Sequence, residues 1–142
     1  MATILETINA NESLKTLAKV IETAGFADRL KGPGPFTFFA PNEAAFAKRK
    51  MDELLKDMDK LRTQLEYHLV SGSYEEKSLD VVTNDSLVTQ CGKSLSVYLD
   101  ENEIMIDNAH IVEGDIVCSN GLIHIIDNVF SPGHSGWYET TA

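Results

Sequence analysis

The spacing of apolar residues changes along this chain, from a helical period in the first half to a strand period in the second. From about Glu12 to Ala24, the residues Leu14, Leu17, Ala18, Ile21 and Ala24 fall on one face of a helix. Asn9 and Glu12, three residues apart, have the form of a capping box with Asn in the usual Ser/Thr place, and Gly25 supplies a helix end. Leu30-Lys31-Gly32-Pro33-Gly34-Pro35 then breaks regular structure. Phe36-Thr37-Phe38-Phe39-Ala40 reads as a short apolar strand stopped by Pro41. Asn42 follows as the cap of a helix that turns Ala45 and Phe46 to the core. Leu54, Leu55, Met58, Leu61 and Leu65 predict a helix from Met51 to about His68, with Asp52 and Glu53 in the first turn, where the helix dipole favours acid. Met58-Asp59-Lys60 in its middle marks a candidate break.

Beyond Ser71-Gly72-Ser73 a charged loop leads into a strand at Ser86-Leu87-Val88-Thr89, and Gly92 turns the chain. Leu95, Val97 and Leu99 alternate with Ser94, Ser96, Tyr98 and Asp100, the pattern of a half-buried strand. Glu101-Asn102 predicts a hairpin turn into Ile104-Met105-Ile106, with further short strands at His110-Ile111-Val112 and Asp115-Ile116-Val117. The last apolar run, Asn120 to Phe130, starts from Ser119-Asn120-Gly121 and is stopped by Pro132-Gly133. It leaves no position for a solvated face. Periodicity alone also allows a buried helix. The run is short, rich in isoleucine and bounded by turn residues, so it reads as a central strand covered on both sides. Helices first and strands afterwards argue an α+β fold. Residues 1–133 form one domain and 134–142 a tail, whose Trp137-Tyr138 pair either packs on the domain or stays loose.

At 142 residues, folding removes roughly 70% of the unfolded chain's surface from water, so a core can hold the domain without staples. No segment approaches the ~20 apolar residues of a membrane-spanning helix. The start, Met1-Ala2-Thr3-Ile4-Leu5-Glu6, has neither a basic end nor a long apolar stretch, so no secretory signal is expected. A net charge of −10 opposes nucleic acid and anionic membranes, and Lys48-Arg49-Lys50 is too small a basic cluster to reverse it. Cys91 and Cys118 belong to no CxxC pair. They are either small buried hydrophobes or one disulfide, and without a signal the reduced form is expected.

Candidate chemistry is sparse. His68, beside Tyr67 at a helix end, is expected to bond a backbone group and hold a corner, with ligand contact through Tyr67-His68 as the alternative. His124 shares a strand face with Leu122 and Ile126, which makes it a core histidine with one satisfied hydrogen bond. His110, Asp115 and His124 could converge on a metal only with adjacent strands, and their spacing does not demand it; no metal and no cofactor is expected. Gly-x-Ser-x-Gly, phosphate-binding glycine loops and His-Glu-x-x-His are all missing, so no catalytic residues are assigned. Asp127 is expected to end the buried run by bonding backbone amides of a neighbouring loop. Asp80, Asp85, Asp100, Glu101 and Glu103 form a solvated rim rather than a calcium site.

Three ordered stretches resemble a known family. Gly34-Pro35-Phe36-Thr37-Phe38-Phe39-Ala40-Pro41-Asn42-Glu43-Ala44-Ala45-Phe46 is similar to the first signature of fasciclin-type (FAS1) domains. Ser119-Asn120-Gly121-Leu122-Ile123-His124-Ile125-Ile126-Asp127-Asn128-Val129-Phe130-Ser131-Pro132 resembles the second, and Tyr67-His68-Leu69-Val70-Ser71-Gly72 the tyrosine-histidine motif between them. The resemblance runs from about Ile4 to Pro132. It implies a twisted β-sandwich or wedge with a cluster of helices from the first half. Within it, Thr37, Phe38, Ala40, Pro41, Phe46, Asn120, Gly121, His124 and Asp127 stand as structural motif residues. The resemblance further implies an adhesion or recognition module, usually extracellular or surface-attached, and not an enzyme; the partner expected for it is a protein or glycan, and the domain is expected to be monomeric or weakly self-associating. In animal matrix members integrin recognition has been placed at the tyrosine-histidine motif and at an Asp-Ile segment, which here are Tyr67-His68 and Asp115-Ile116. Glu113-Gly114 stands where those proteins carry Asn-Lys, and Asn42-Glu43 where a Thr-Asp pair is usual. The alternative, prompted by the missing signal, is a cytoplasmic domain that binds a small molecule or metal, or a hydrolase.

Overall fold

The computed structural model of the protein describes residues 2–47, 56–75, 85–90, 92, 94–100, 103–107 and 109–130. Its first helix, α1 (Ile4–Ala10), starts from a capping box. The Glu6 amide donates to Thr3 Oγ1 at 3.1 Å, and the Thr3 amide donates to Glu6 Oε1 at 2.9 Å. This corrects the box expected at Asn9 and Glu12, because Asn9 already lies inside α1. Asn11 is the capping residue instead. It accepts the Ser13 amide at 2.9 Å and opens a 3₁₀ turn (Glu12–Leu14) that runs into α2 (Lys15–Ala24). α2 ends at Gly25, whose φ of 67° suits a residue without Cβ, and Arg62 Nε donates to the Ala24 carbonyl at 2.6 Å. A short α3 (Ala27–Leu30) follows.

β1 (Phe36–Pro41) runs one residue beyond the expected stop, with Pro41 opposite Ile126. Phe39 donates its amide to the His68 carbonyl, so alternation points the nitrogen of Pro41 to that same side. The strand on that side pairs only as far as Phe38, and the missing N–H therefore interrupts no ladder. Asn42 caps α4 (Glu43–Ala47) as expected, its Oδ1 accepting the Ala45 amide at 2.8 Å, with Ala45 and Phe46 buried. Of the long helix expected from Met51, the described part is α5 (Met58–Glu66). Asp57 caps it by accepting the Asp59 and Lys60 amides, so the break expected at Met58-Asp59-Lys60 is a helix start. Tyr67 and His68 follow the helix rather than belonging to it. Met51 to Leu55, the Lys48-Arg49-Lys50 cluster, Asp80, Cys91, Glu101-Asn102 and the tail from Ser131 lie outside the described residues.

The strands β2 (Leu69–Ser71), β3 (Asp85–Val88), β4 (Ser94–Asp100), β5 (Glu103–Ile106), β6 (Ala109–Cys118) and β7 (Gly121–Ile126) join β1 in one sheet, ordered β2-β1-β7-β6-β5-β4-β3. β1 and β7 are parallel; the other neighbours are antiparallel. The two short strands expected at His110–Val112 and Asp115–Val117 are one strand, β6, kept continuous across two register shifts that absorb Val112 and the Gly114-Asp115 step. The sheet curls until its ends meet, where Val70 of β2 bridges Thr89 just past β3.

This closure makes two cores. One is enclosed by all seven strands and holds Phe39, Val70, Leu87, Leu95, Val97, Ile106, Ala109 and Ile126, with Tyr67 and Phe130 added from outside the sheet. The other lies between the helices and the opposite sheet face, where Phe38, Ala40, Ile123 and Ile125 meet Ile4, Ile8, Leu17, Ile21, Phe46 and Leu65. β7 separates them, and each of Leu122 to Ile126 is buried. The two-sided burial expected of this run is therefore met, although the strand ends at Ile126, before Phe130. Each buried isoleucine stabilises the fold by roughly 1.5–3 kcal/mol relative to exposure.

Candidate recognition site

The tyrosine-histidine motif sits where the chain leaves α5 and enters β2. Tyr67 and His68 expose 0% and 1% of their surface, so neither ring is presented to a partner. His68 Nδ1 lies 2.7 Å from the Gln64 carbonyl, which can only accept, so Nδ1 carries the proton. That leaves Nε2 to accept the Phe130 amide at 2.9 Å, while the Phe130 ring stacks on the imidazole at 4.6 Å. A neutral histidine thus ties the end of α5 to the segment that follows β7, the corner-holding role expected for it.

Tyr67 reaches across the strand-enclosed core. Its hydroxyl donates to Asp107 Oδ2 at 2.7 Å, with the Ser94 carbonyl 3.1 Å from the same oxygen. Asp107 was no candidate in the sequence, though Asp107-Asn108 between two apolar stretches is a hairpin-turn dipeptide that could have marked it. It occupies φ 52° between β5 and β6, and its Oδ1 accepts the Ser96 amide at 2.7 Å. Burial pushes its carboxyl above the ordinary 3.8, against the lowering effect of its bonds from Ser96 and Tyr67. A raised folded value means that the native state binds the extra proton. The stability this group contributes is full below about pH 3.8 and is lost as pH rises through the folded value. Asp107→Asn removes the buried charge and suits a positive φ. Its Oδ1 can keep the Ser96 amide, and its Nδ2 can donate to Tyr67 while the tyrosine proton turns to Ser94. Partial exposure of the turn screens the effect. The variant is expected to melt roughly 3 °C higher than wild type at neutral pH, the gap closing toward acid; calorimetry across pH checks both.

The second signature is an internal frame. Asn120 is buried, its Oδ1 accepting the Ile4 amide at 2.9 Å and its Nδ2 donating to the carbonyls of Leu30 at 2.8 Å and Gly32 at 3.0 Å. Gly121 follows at φ 157°, where a Cβ would collide with the Phe36 carbonyl. Thr37, also buried, donates to the Gly72 carbonyl and accepts the Tyr74 amide, both at 2.8 Å. His124 makes two hydrogen bonds rather than the one expected, to the Asp115 amide at 3.1 Å and the Tyr74 carbonyl at 2.7 Å. Asp127 bonds a backbone amide as expected, that of His110 at 2.8 Å, although the donor lies on strand β6 rather than on a loop.

Asp115 and Ile116 occupy a different environment. They lie in the second register shift of β6, with Asp115 exposed at φ 57° and Ile116 half-buried against the helical core. Val112 and Val117 flank them, with 58% and 60% of their surface exposed, and Glu113 is also exposed. Among the described residues this segment combines charge and exposed apolar surface, whereas Tyr67 and His68 stay inside. His110 is a separate case, its Nδ1 3.4 Å from Asp127 and its Nε2 3.5 Å from Glu103. The two carboxylates flank opposite ring nitrogens, and among the described residues no three His, Cys, Asp or Glu side chains form a group able to hold a metal ion. Cys118 is a buried free thiol whose pKa is pushed up by burial. No helix of the described residues is long and apolar enough to cross a membrane.

Comparison with known proteins agrees with this geometry. The Fasciclin domain family matches residues 12–132. The uncharacterized protein sll1735 of Synechocystis sp. is 32% identical over 142 aligned positions, covering 94% of this chain and 100% of its own. The cell surface glycolipoprotein MPB83 of Mycobacterium bovis is 31% identical, with 86% of this chain and 57% of its own covered. Among solved structures, a FAS1 domain pair from the insect cell adhesion molecule Fasciclin I superposes with a TM-score of 0.78 at 22% identity, over 93% of this chain and 51% of that one. FAS1 domains thus occur in adhesion proteins. With its signatures, its curled sheet and its helical layer accounted for, the chain belongs to the fasciclin domain family.

Proposed function

We propose that this domain is a non-catalytic recognition module that binds a protein or glycan partner at a cell surface through the β6 segment around Asp115 and Ile116. The observation that carries the reading is the contrast in exposure between the two motif segments. Tyr67 and His68 are committed to the core, while Asp115 stands outside with Glu113 and two exposed valines beside it. Exposed apolar side chains interleaved with carboxylates suit a contact with an apolar centre and a polar rim. A single domain offers little area, so each contact is weak and gains strength by multiplication. The adhesion context of the insect relative and the cell-surface location of the mycobacterial one support the same reading.

The test coats beads with purified domain at high density and counts their attachment to source cells after protease treatment and without it. Wild-type beads are expected to bind untreated cells. Beads carrying Asp115→Asn together with Val117→Lys should attach about tenfold less, at an unchanged melting temperature. Absence of wild-type binding, or equal binding by the variant, would sink the proposal.

A further inference from the structure

His124 is fully buried, yet both of its ring nitrogens are committed to main-chain groups on different elements. Nε2 lies 2.7 Å from the Tyr74 carbonyl. A carbonyl only accepts, so Nε2 carries the proton and Nδ1 is the acceptor for the Asp115 amide at 3.1 Å. On the first side, the Tyr74 amide also donates to Thr37, so the segment after β2 is pinned across the sheet at both its N–H and its C=O. On the second side, the ring holds the amide of a residue at φ 57° within a register shift of β6. A non-glycine residue persists at such a φ when its surroundings over-determine it. The bond to His124 is part of that determination. Packing fixes the ring itself, with Phe39 stacked on it at 5.7 Å and an interplanar angle of 26°.

We propose that His124 is the positioning residue for the Asp115-Ile116 segment, and that a second proton on its ring releases that segment. Protonation converts Nδ1 from acceptor to donor and sets two N–H groups against each other where a hydrogen bond stood. The bond from Nε2–H to Tyr74 survives the change, so the effect falls on the β6 side alone. The titratable groups on the elements packed against this ring are Glu113 and Asp115 on β6 and Tyr74 and Glu75 on the segment after β2; β1 presents Thr37 and Phe39. His110 and Asp127 are paired with each other where β6 and β7 begin and end. The reading of Asp115-Ile116 as the recognition segment makes this device one for letting go of a partner in acid. The device itself is tested without a partner.

The experiment is residue-resolved amide hydrogen exchange by NMR on the intact protein, from about pH 7.5 to about pH 5, corrected for the intrinsic pH dependence of exchange. The Asp115 amide is expected to lose protection about tenfold or more while the amides of Ile123 and Phe38 keep theirs. The His124 Nδ1 resonance should move over the same pH interval. His124→Gln retains an acceptor for Asp115 and a donor for Tyr74 but cannot titrate, so protection of its Asp115 amide is expected to stay level. Constant Asp115 protection in the wild type overturns the proposal. So does its loss together with Ile123, which would make His124 a core residue only, or an identical pH profile in His124→Gln. If that variant fails to fold, the contrast of Asp115 with Ile123 and the match to the His124 resonance decide alone. Expected exchange behaviour combined with unaltered cell attachment by the Asp115→Asn/Val117→Lys variant would reject the recognition reading and leave the positioning role standing.

Discussion

Tyr67→Ala is expected to cost about 4 kcal/mol of folding stability, within the range for truncating a fully buried aromatic ring. The ring exposes 0% of its surface, packs edge-on against Phe130 at 6.1 Å and lies in the core that all seven strands enclose. The loss has two parts that a second variant separates. Tyr67→Phe keeps the ring and removes the hydroxyl that donates to Asp107, and is expected to cost about 1–2 kcal/mol. Guanidinium denaturation of both variants measures the difference, with the slope of the transition reporting whether the unfolded reference has changed. The result also bears on function. A variant that loses stability on this scale identifies the tyrosine-histidine motif as a hinge pin between α5, the β5–β6 turn and the chain after β7, and removes it as a contact surface. A Tyr67→Ala protein as stable as wild type would contradict the buried position described above.

The second large effect is expected at Asn120. Asn120→Asp changes one NH₂ into an oxygen with almost no change of shape. Nδ2 of this residue donates to the carbonyls of Leu30 and Gly32, while Oδ1 accepts the first amide of α1. In the variant two carbonyls lose their donor and face a buried anion, an arrangement expected to cost about 4 kcal/mol at neutral pH. Protonating the new carboxyl restores one donor, so part of the loss should return as pH falls toward about 4. Urea denaturation at both pH values is the measurement. Equal stability of variant and wild type at neutral pH would mean that the side chain of Asn120 does not join α1, the loop before β1 and the start of β7 as described.

Much of this fold was legible in the order of residues, and particular positions explain how far. The Leu122–Ile126 run could be read as central because a strand with no polar face needs cover on both sides. Gly25 and Asn42 could be read as cap residues because their chemistry suits a helix end whatever the rest of the chain does. The box at Asn9 and Glu12 failed for a related reason. Local pattern can name residues able to cap but cannot choose between them: burial of Ile4 and Ile8 against the sheet places Asn9 inside a separate helix that starts at Thr3, and the cap of the following segment falls to Asn11. β6 was divided in two because its register shifts break the alternation on which a strand is recognised; pairing with β7 alone keeps it continuous.

The candidate site divides along the same line. The sequence by itself determined which side chains had the chemistry to matter: the neutral-capable imidazoles of His68 and His124, the amide of Asn120, the carboxylates of Asp115 and Asp127. It also determined an α+β chain with a two-faced central strand, because periodicity and turn chemistry act over a few residues. Only the tertiary structure decided where those groups went. It turned Tyr67 and His68 inward and left Asp115 outside, brought Asp107 under the Tyr67 hydroxyl from 40 residues away, and set His124 between Tyr74 and Asp115. Such partners are chosen by sheet closure and strand register, which join residues far apart in the chain through contacts that no local pattern encodes.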